Sequence, residues 1–372
     1  MAANYRNNKP KAGGRSSSPR FAAKSAKPSK PARPAKSAKS ANPTKPTNAG
    51  NSTKPNKLNK KRDDRRKKPI EKPAEQAENQ PAIRNIQWFP GHMTRTRRKI
   101  QESLKAIDAV VEIVDARIPL SSRNPEMDSL TAGKPRMIIL NKADLADENA
   151  NRRWLSYFKK QGMAAIAVDC KTGRGCNQFD SAIRELLSDL LEKWESKGAN
   201  RTIRAMIVGI PNVGKSSFIN RMNRGGKAKV EDRPGVTRQN QWFVIEGGTQ
   251  LLDTPGVLWP KFEDQMVAMR LAFTGAINDQ VLDLEEMACE LLGILRQDYP
   301  QLLLDRYKLT EPINEDNYEL LKDIGRKRGM LVSGGEIDTE RASIMLLDEY
   351  RGGKLGRITL DSLPKGEVSG NA

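Results

Sequence analysis

Hydrophobic and polar positions change period along this chain, and each change marks an element. Four runs, at 110–114, 137–140, 164–168 and 205–208, are almost wholly apolar and only four or five residues long. Such runs are too short for helices and predict buried strands. Between them, 151–161 and 178–195 carry apolar residues at helical spacing among charged ones, which predicts helices. Strands alternating with helices build an open, mostly parallel α/β sheet. A further strand-like run at 250–252 ends at Asp253, and 217–222 reads as a helix soon after the fourth strand. Past residue 271 the pattern turns helical, at 284–296, 318–328 and 339–350. This predicts a second, mostly helical domain over 283–361, beside an α/β domain over 83–275. Residues 1–82 show no periodic apolar face and predict a disordered tail.

The strand ends carry the candidate chemistry. Gly209 and Gly214 bracket four residues, and Lys215-Ser216 completes the pattern G-x-x-x-x-G-K-S between a strand and a helix. Backbone N–H groups of such a loop and the positive end of the following helix suit phosphate oxygens. Asn212, Val213, Gly214, Lys215, Ser216 and Ser217 are therefore the phosphate-side candidates. Lys215 is expected against the β- and γ-phosphates and the Ser216 hydroxyl on Mg²⁺. Asp253, closing its strand, supplies the second carboxylate-type partner that a Mg²⁺ shell needs, and Gly256 lets a backbone N–H approach the γ-phosphate. Thr237, in Arg233-Pro234-Gly235-Val236-Thr237, is the candidate switch threonine for Mg²⁺ and the γ-phosphate; the other reading is an ordinary loop threonine.

Asn141-Lys142-Ala143-Asp144 follows the 137–140 strand, at the carboxyl end where open α/β sheets bind ligands. The Asp144 carboxylate can accept from the N1 and N2 donors of guanine, a pair that adenine lacks, so adenine would leave a buried charge unsatisfied. Lys171, in Asp169-Cys170-Lys171-Thr172-Gly173, stands where a second base-contacting loop is expected. Such a loop normally reads Ser-Ala-Lys or Asn-Ala-Lys, and Asp169 and Cys170 depart from that. These motifs occur in rotated order, base-reading segment first and phosphate loop afterwards. That order predicts a circularly permuted Ras-like P-loop GTPase domain.

Three further segments, Ile86-Gln87-Trp88-Phe89-Pro90-Gly91-His92-Met93, Asp115-Ala116-Arg117-Ile118-Pro119 and Leu258-Trp259-Pro260-Lys261, extend the set. With them the chain, from about 86 to about 361, resembles the ribosome biogenesis GTPase A family, the YlqF-like permuted GTPases. The resemblance implies a GTP-hydrolysing assembly factor for the large ribosomal subunit. Its partners would be GTP or GDP, the subunit and its rRNA, and it would be monomeric off the ribosome. Ras-like proteins place a water-orienting glutamine after Asp-Thr-Pro-Gly, where this chain has Val257, and valine cannot orient water. In similar proteins the Pro-Gly-His-Met motif is brought toward the γ-phosphate, so His92, the one histidine of the chain, is the catalytic candidate. A plain loop histidine or an RNA contact is its competing reading. Similarity to potassium-activated GTPases implies K⁺ held through Asn212, against a role that merely shapes the loop. The helical domain is implied to contact RNA, through clusters at 325–329 and 350–357. A strip of Arg95, Arg97, Arg98 and Lys99 follows His92, and subunit binding is expected to order a loop at 90–94 and raise the hydrolysis rate.

Charge sharpens the picture of the tail. Residues 1–80 hold 22 Lys/Arg and 5 Asp/Glu, which is +17 of the chain's +20, so the remainder is nearly neutral. A basic arm of this kind meets polyanions by phosphate neutralisation, and rRNA is the natural target. A solubilising tail and an organellar transit peptide are the competing readings. No run approaches the ~18 apolar residues of a membrane span. The three cysteines, Cys170, Cys176 and Cys289, form no C-x-x-C pair and predict free thiols. A cytoplasmic setting and no membrane partner are expected. The alternative to a ribosomal role is an RNA-binding GTPase switch with another partner.

Overall fold

The computed structural model describes residues 91–199, 201–223 and 241–364, with the backbone alone at 91 and 92. The 1–82 tail and Thr237 lie outside the described residues. The strands are β1 (Ala109–Asp115), β2 (Arg136–Asn141), β3 (Ala164–Val168), β4 (Arg204–Val208), β5 (Gln241–Val244) and β6 (Gln250–Asp253). They form one sheet in the order β3-β2-β1-β4-β6-β5, parallel throughout except for the antiparallel edge strand β5. From β1 the chain walks outward to β3, and β4 then restarts on the other flank of β1. This makes the gap between the carboxyl ends of β1 and β4 the topological switch point, where ligands of such sheets bind.

Helices α1 (Gly91–Ser103), α2 (Glu126–Leu130), α3 (Glu148–Lys160), α4 (Phe179–Leu186), α5 (Ser188–Glu195) and α6 (Lys215–Met222) accompany the sheet. In α3, Asp147 caps the first turn by accepting from the Ala150 N–H, and Ala150, Trp154 and Phe158 form one buried face. In α1, Met93, Thr96 and Ile100 are buried at helical spacing. The expectation of a loop at 90–94 is thus corrected from Gly91 onward, because Met93 anchors the first helical turn in the core. The helix expected over 178–195 is two helices, α4 and α5. Leu187 between them is buried, at φ −106°, ψ 16°, and the break involves neither Gly nor Pro.

The remaining helices are α7 (Gln265–Phe273), α8 (Leu284–Asp298), α9 (Pro300–Tyr307), α10 (Asn317–Lys327) and α11 (Thr339–Arg351). Asp283, Asp316 and Asp338 each cap a helix start. Leu291, Leu292, Leu321, Ile324, Leu346 and Leu347 fill the space between α8, α10 and α11, within the same apolar core that holds the sheet. The described residues accordingly belong to one compact unit. After α11 the chain returns to the sheet. Ile358 N–H donates to the Leu145 carbonyl at 3.0 Å and Leu360 N–H to the Arg117 carbonyl at 2.7 Å. The buried Asp361 carboxylate accepts from the Leu120 and Ser121 N–H groups, both at 2.7 Å. Among the described residues no helix is long and apolar enough to cross a membrane.

Candidate nucleotide site

The carboxyl ends of β2 and β4 place the two expected loops side by side. Asn141, the last residue of β2, donates its side-chain N–H to the Val213 carbonyl at 2.7 Å, so the base-reading segment is tied to the phosphate loop. Gly214 is required at this junction. It stands at φ +96°, and a Cβ there would collide with the Asn141 amide nitrogen. Gly256 meets a similar limit, since a Cβ would lie 2.7 Å from the Pro211 nitrogen, a backbone atom that cannot swing away. The Asp-Thr-Pro-Gly segment therefore lies directly against the phosphate loop. The Thr254 hydroxyl donates to the Ile207 carbonyl at 2.6 Å and holds it there.

Lys215 begins α6 and is buried. Its ammonium donates to the Gly209 and Ile210 carbonyls at 3.0 and 2.8 Å. Burial pushes its pKa down to about 8, against the opposing pull of the Asp253 charge. A poorly solvated ammonium facing neutral carbonyls gains strongly from a phosphate dianion. The Ser216 hydroxyl donates to Asp253 Oδ2 at 3.3 Å, which sets two hard oxygen donors next to each other. Two such donors could supply the protein share of a Mg²⁺ shell, so these residues fit the ion. Val257 is buried, with its carbonyl accepting from the Asn124 side chain at 3.2 Å. Its side chain belongs to the core, and the position after Asp-Thr-Pro-Gly offers a nucleophilic water nothing.

A cleft of about 530 Å³ runs from these loops to the helical part of the molecule. Asn141, Lys142, Asp144, Lys171, Asn212, Gly214 and Ser217 line it on the sheet side, and Asn278, Asp348 and Arg351 on the other. Its volume suits a nucleotide. Asp169, which departs from the usual serine, does that residue's turn-forming work, accepting from the Lys171 N–H at 2.8 Å and the Thr172 hydroxyl at 2.5 Å. Arg221 of α6 donates to the Cys170 carbonyl at 3.1 Å and to the Lys171 carbonyl, tying the second base loop to the phosphate-side helix. Cys170 and Cys176 are both buried free thiols. The Asn212 amide nitrogen donates to the Gly275 carbonyl at 2.7 Å, which fixes the orientation of that side chain against the end of α7. His92 lies in the first turn of α1, and its side chain is outside the described residues.

Sequence reasoning missed the far wall of the cleft. Of the cluster expected to meet RNA at 350–357, Tyr350 is buried, and Arg351 forks onto Asp279, both contacts at 2.7 Å, while donating to the Ala272 and Phe273 carbonyls. Arg357 pairs with Glu148 at 3.2 Å. Much of that run is joinery, which its Gly and Arg composition alone could not reveal.

Comparison with known proteins agrees with this geometry. The family model described as "50S ribosome-binding GTPase" matches residues 204–323. Ribosome biogenesis GTPase A of Bacillus cereus is 49% identical over 278 residues, covering 74% of this chain and 94% of that protein. Its namesake from Thermotoga maritima is 32% identical over 276 residues, with the same two coverages of 74% and 94%. The crystal structure of GNP-bound YlqF from T. maritima superposes with a TM-score of 0.50 at 28% identity, covering 72% of this chain and 97% of that one. A phosphate loop that follows the base-reading strand, in a chain so close to these relatives over nearly their whole length, places the protein in the ribosome biogenesis GTPase A family of circularly permuted, GTP-hydrolysing enzymes.

Proposed function

We propose that this GTPase assists assembly of the large ribosomal subunit and that its GTP state sets its residence on the immature particle. The names of its relatives support a role in ribosome biogenesis, and the matching family description supports the 50S particle as partner. The observation that carries nucleotide control is the bond from Asn141 to the Val213 carbonyl, which makes base and phosphate recognition one rigid site.

In this reading the phosphate-loop N–H groups and Lys215 hold the β- and γ-phosphates, and Gly256 brings its N–H to the γ-phosphate. Asp144 accepts from guanine N1 and N2, with Asn141, Lys142 and Lys171 around the base. Ser216, Asp253 and Thr237 would hold Mg²⁺, and the ion would supply neutralisation of charge on the transferred phosphoryl group. Asn212 would hold K⁺, and a second cation would supply further neutralisation of the same charge. Valine at 257 cannot hydrogen-bond a water, and His92, in the motif that similar proteins bring toward the γ-phosphate, orients the attacking water; imidazole does this by hydrogen bonding without acting as a full base. The exposed side chains of Arg95, Arg98 and Lys99 on α1 supply an RNA contact next to it, and the exposed cluster at 326–328 a second. Reception of the particle by α1 and the hydrolytic geometry at its first turn are then coupled.

Hydrolysis is to be measured in KCl and in NaCl, with and without large ribosomal subunits, alongside co-sedimentation of the protein with those subunits. Turnover raised by subunits in KCl, with GTP-dependent co-sedimentation, is the expected result. Unchanged turnover and no co-sedimentation would instead favour an RNA-binding switch with a different partner.

A further inference from the structure

We propose that Asp115 and Arg117 are positioning residues for guanine recognition, and that through them the C-terminal end of α11 sets the base-reading loop. The inference rests on the guanine site proposed above and concerns residues that do not line its cleft.

Lys142 of the base-reading loop has φ +60°, a region that a lysine adopts only when its surroundings hold it there. Its ammonium meets Asp115 Oδ2 at 2.9 Å. Asp115 ends β1 and is buried, and Arg117 forks onto it, Nε to Oδ1 at 2.9 Å and Nη2 to Oδ2 at 2.7 Å. Arg117 is 1% exposed, so water takes no part in the pair. The remaining guanidinium nitrogen, Nη1, donates to the Tyr350 and Arg351 carbonyls at 3.3 and 3.2 Å. These are last-turn carbonyls of α11, at the negative end of the helix dipole, and that of Tyr350 also accepts from the Gly353 N–H at 3.1 Å. The Tyr350 ring covers the guanidinium, its centroid 5.1 Å from Cζ.

The path therefore runs unbroken from the end of α11 through Arg117 and Asp115 to Lys142, two residues before Asp144. A buried ion pair of this sort is a weak source of stability, because apolar residues of equal volume often serve as well. What it does supply is a fixed direction for each of its members. Arg117 can bridge Asp115 and the end of α11 because its guanidinium forks; a lysine there could not fork onto a carboxylate and a pair of carbonyls together. The next residue, Arg351, lines the cleft itself, so the element that Arg117 grips is the one that walls the site.

The test uses the full chain with Arg117→Lys and, separately, Asp115→Asn. Affinities for GDP and ADP are read by competition against labelled GDP, with thermal melts of each protein. The expected result is a GDP-to-ADP preference lowered by roughly tenfold, within the usual range of coupling between sites, with ADP affinity little changed. A merely structural lesion would weaken both nucleotides together. The second measurement is hydrogen exchange on the unaltered protein. GDP should slow exchange at the amides of 350–353 and 358–361, because coupling is reciprocal. An unchanged preference in variants that melt normally would overturn the inference. If neither variant folds, exchange at 358–361 that ignores GDP overturns it, and slowed exchange there, away from the cleft-lining Arg351, upholds it. A wild-type chain without any preference for GDP over ADP would instead refute the guanine reading of the cleft, and the inference with it.

Discussion

Lys215 shows how one buried residue turns into a pH dependence. Its pKa lies at about 8 in the nucleotide-free fold, against 10.5 for an ordinary lysine, chiefly because burial disfavours the ammonium. The sign follows directly. Between about pH 8 and 10.5 the unfolded chain binds more protons than the folded one, so the free protein gains stability as pH rises through that window. Nucleotide binding needs the ammonium, so GDP affinity should hold below about pH 8 and fall above it, with a proton taken up on binding. Calorimetric titrations above pH 8 in buffers of different ionisation enthalpy check this, and a binding heat independent of buffer would count against it. His92 gives the second prediction at this scale. His92→Ala should abolish subunit-stimulated hydrolysis while leaving GTP affinity nearly intact, as read by single-turnover rates and equilibrium binding; normal stimulated turnover would remove His92 from the mechanism. Asn141, Gly214 and Asp253 could be singled out from sequence because their motifs have fixed spacing. Asp115 and Arg117 stood out as a motif without a legible role, because their partners Tyr350 and Arg351 lie more than two hundred residues away.

At the scale of elements, α1 combines a buried stripe with an exposed basic face. Met93, Thr96 and Ile100 point into the core, Arg97 pairs with Glu126 at 3.1 Å, and Arg95, Arg98 and Lys99 are exposed. Replacing those three exposed residues with alanine should leave the melting temperature nearly unchanged and weaken binding to large subunits. The slope of log K against log salt should drop by roughly 0.7–0.9 for each phosphate that is no longer neutralised. A slope identical to that of the unaltered protein would place the RNA-binding surface elsewhere. Strands were legible because a short, nearly continuous apolar run has few other solutions. The edge strand β5 was not, since Trp242 and Val244 face solvent and only Phe243 of its four residues packs against the core. The break at Leu187 was equally hidden, because local propensity favours one helix and no Gly or Pro marks the break.

For the whole molecule, the dominant feature is charge asymmetry: +17 of the net +20 falls in the first 80 residues. Removing that segment should leave intrinsic GTP hydrolysis unaltered and reduce affinity for rRNA together with its salt dependence, measured by filter binding across a salt series. Equal salt slopes with and without the segment would mean that it neutralises no phosphates. The alternating α/β architecture, the permuted order, the nucleotide loops and the basic tail could all be read before any fold was known. Each of these depends on neighbouring residues, on motif spacing or on composition, and so is written locally in the chain. Folding in three dimensions was needed to bring the C-terminal helices into the sheet's core and to clasp 350–361 against the base-reading side. It also sets Arg351 in the wall of the cleft and joins α11 to Lys142 through Arg117. Those features arise between segments far apart in the chain, where burial, not local pattern, selects the partner for each charge.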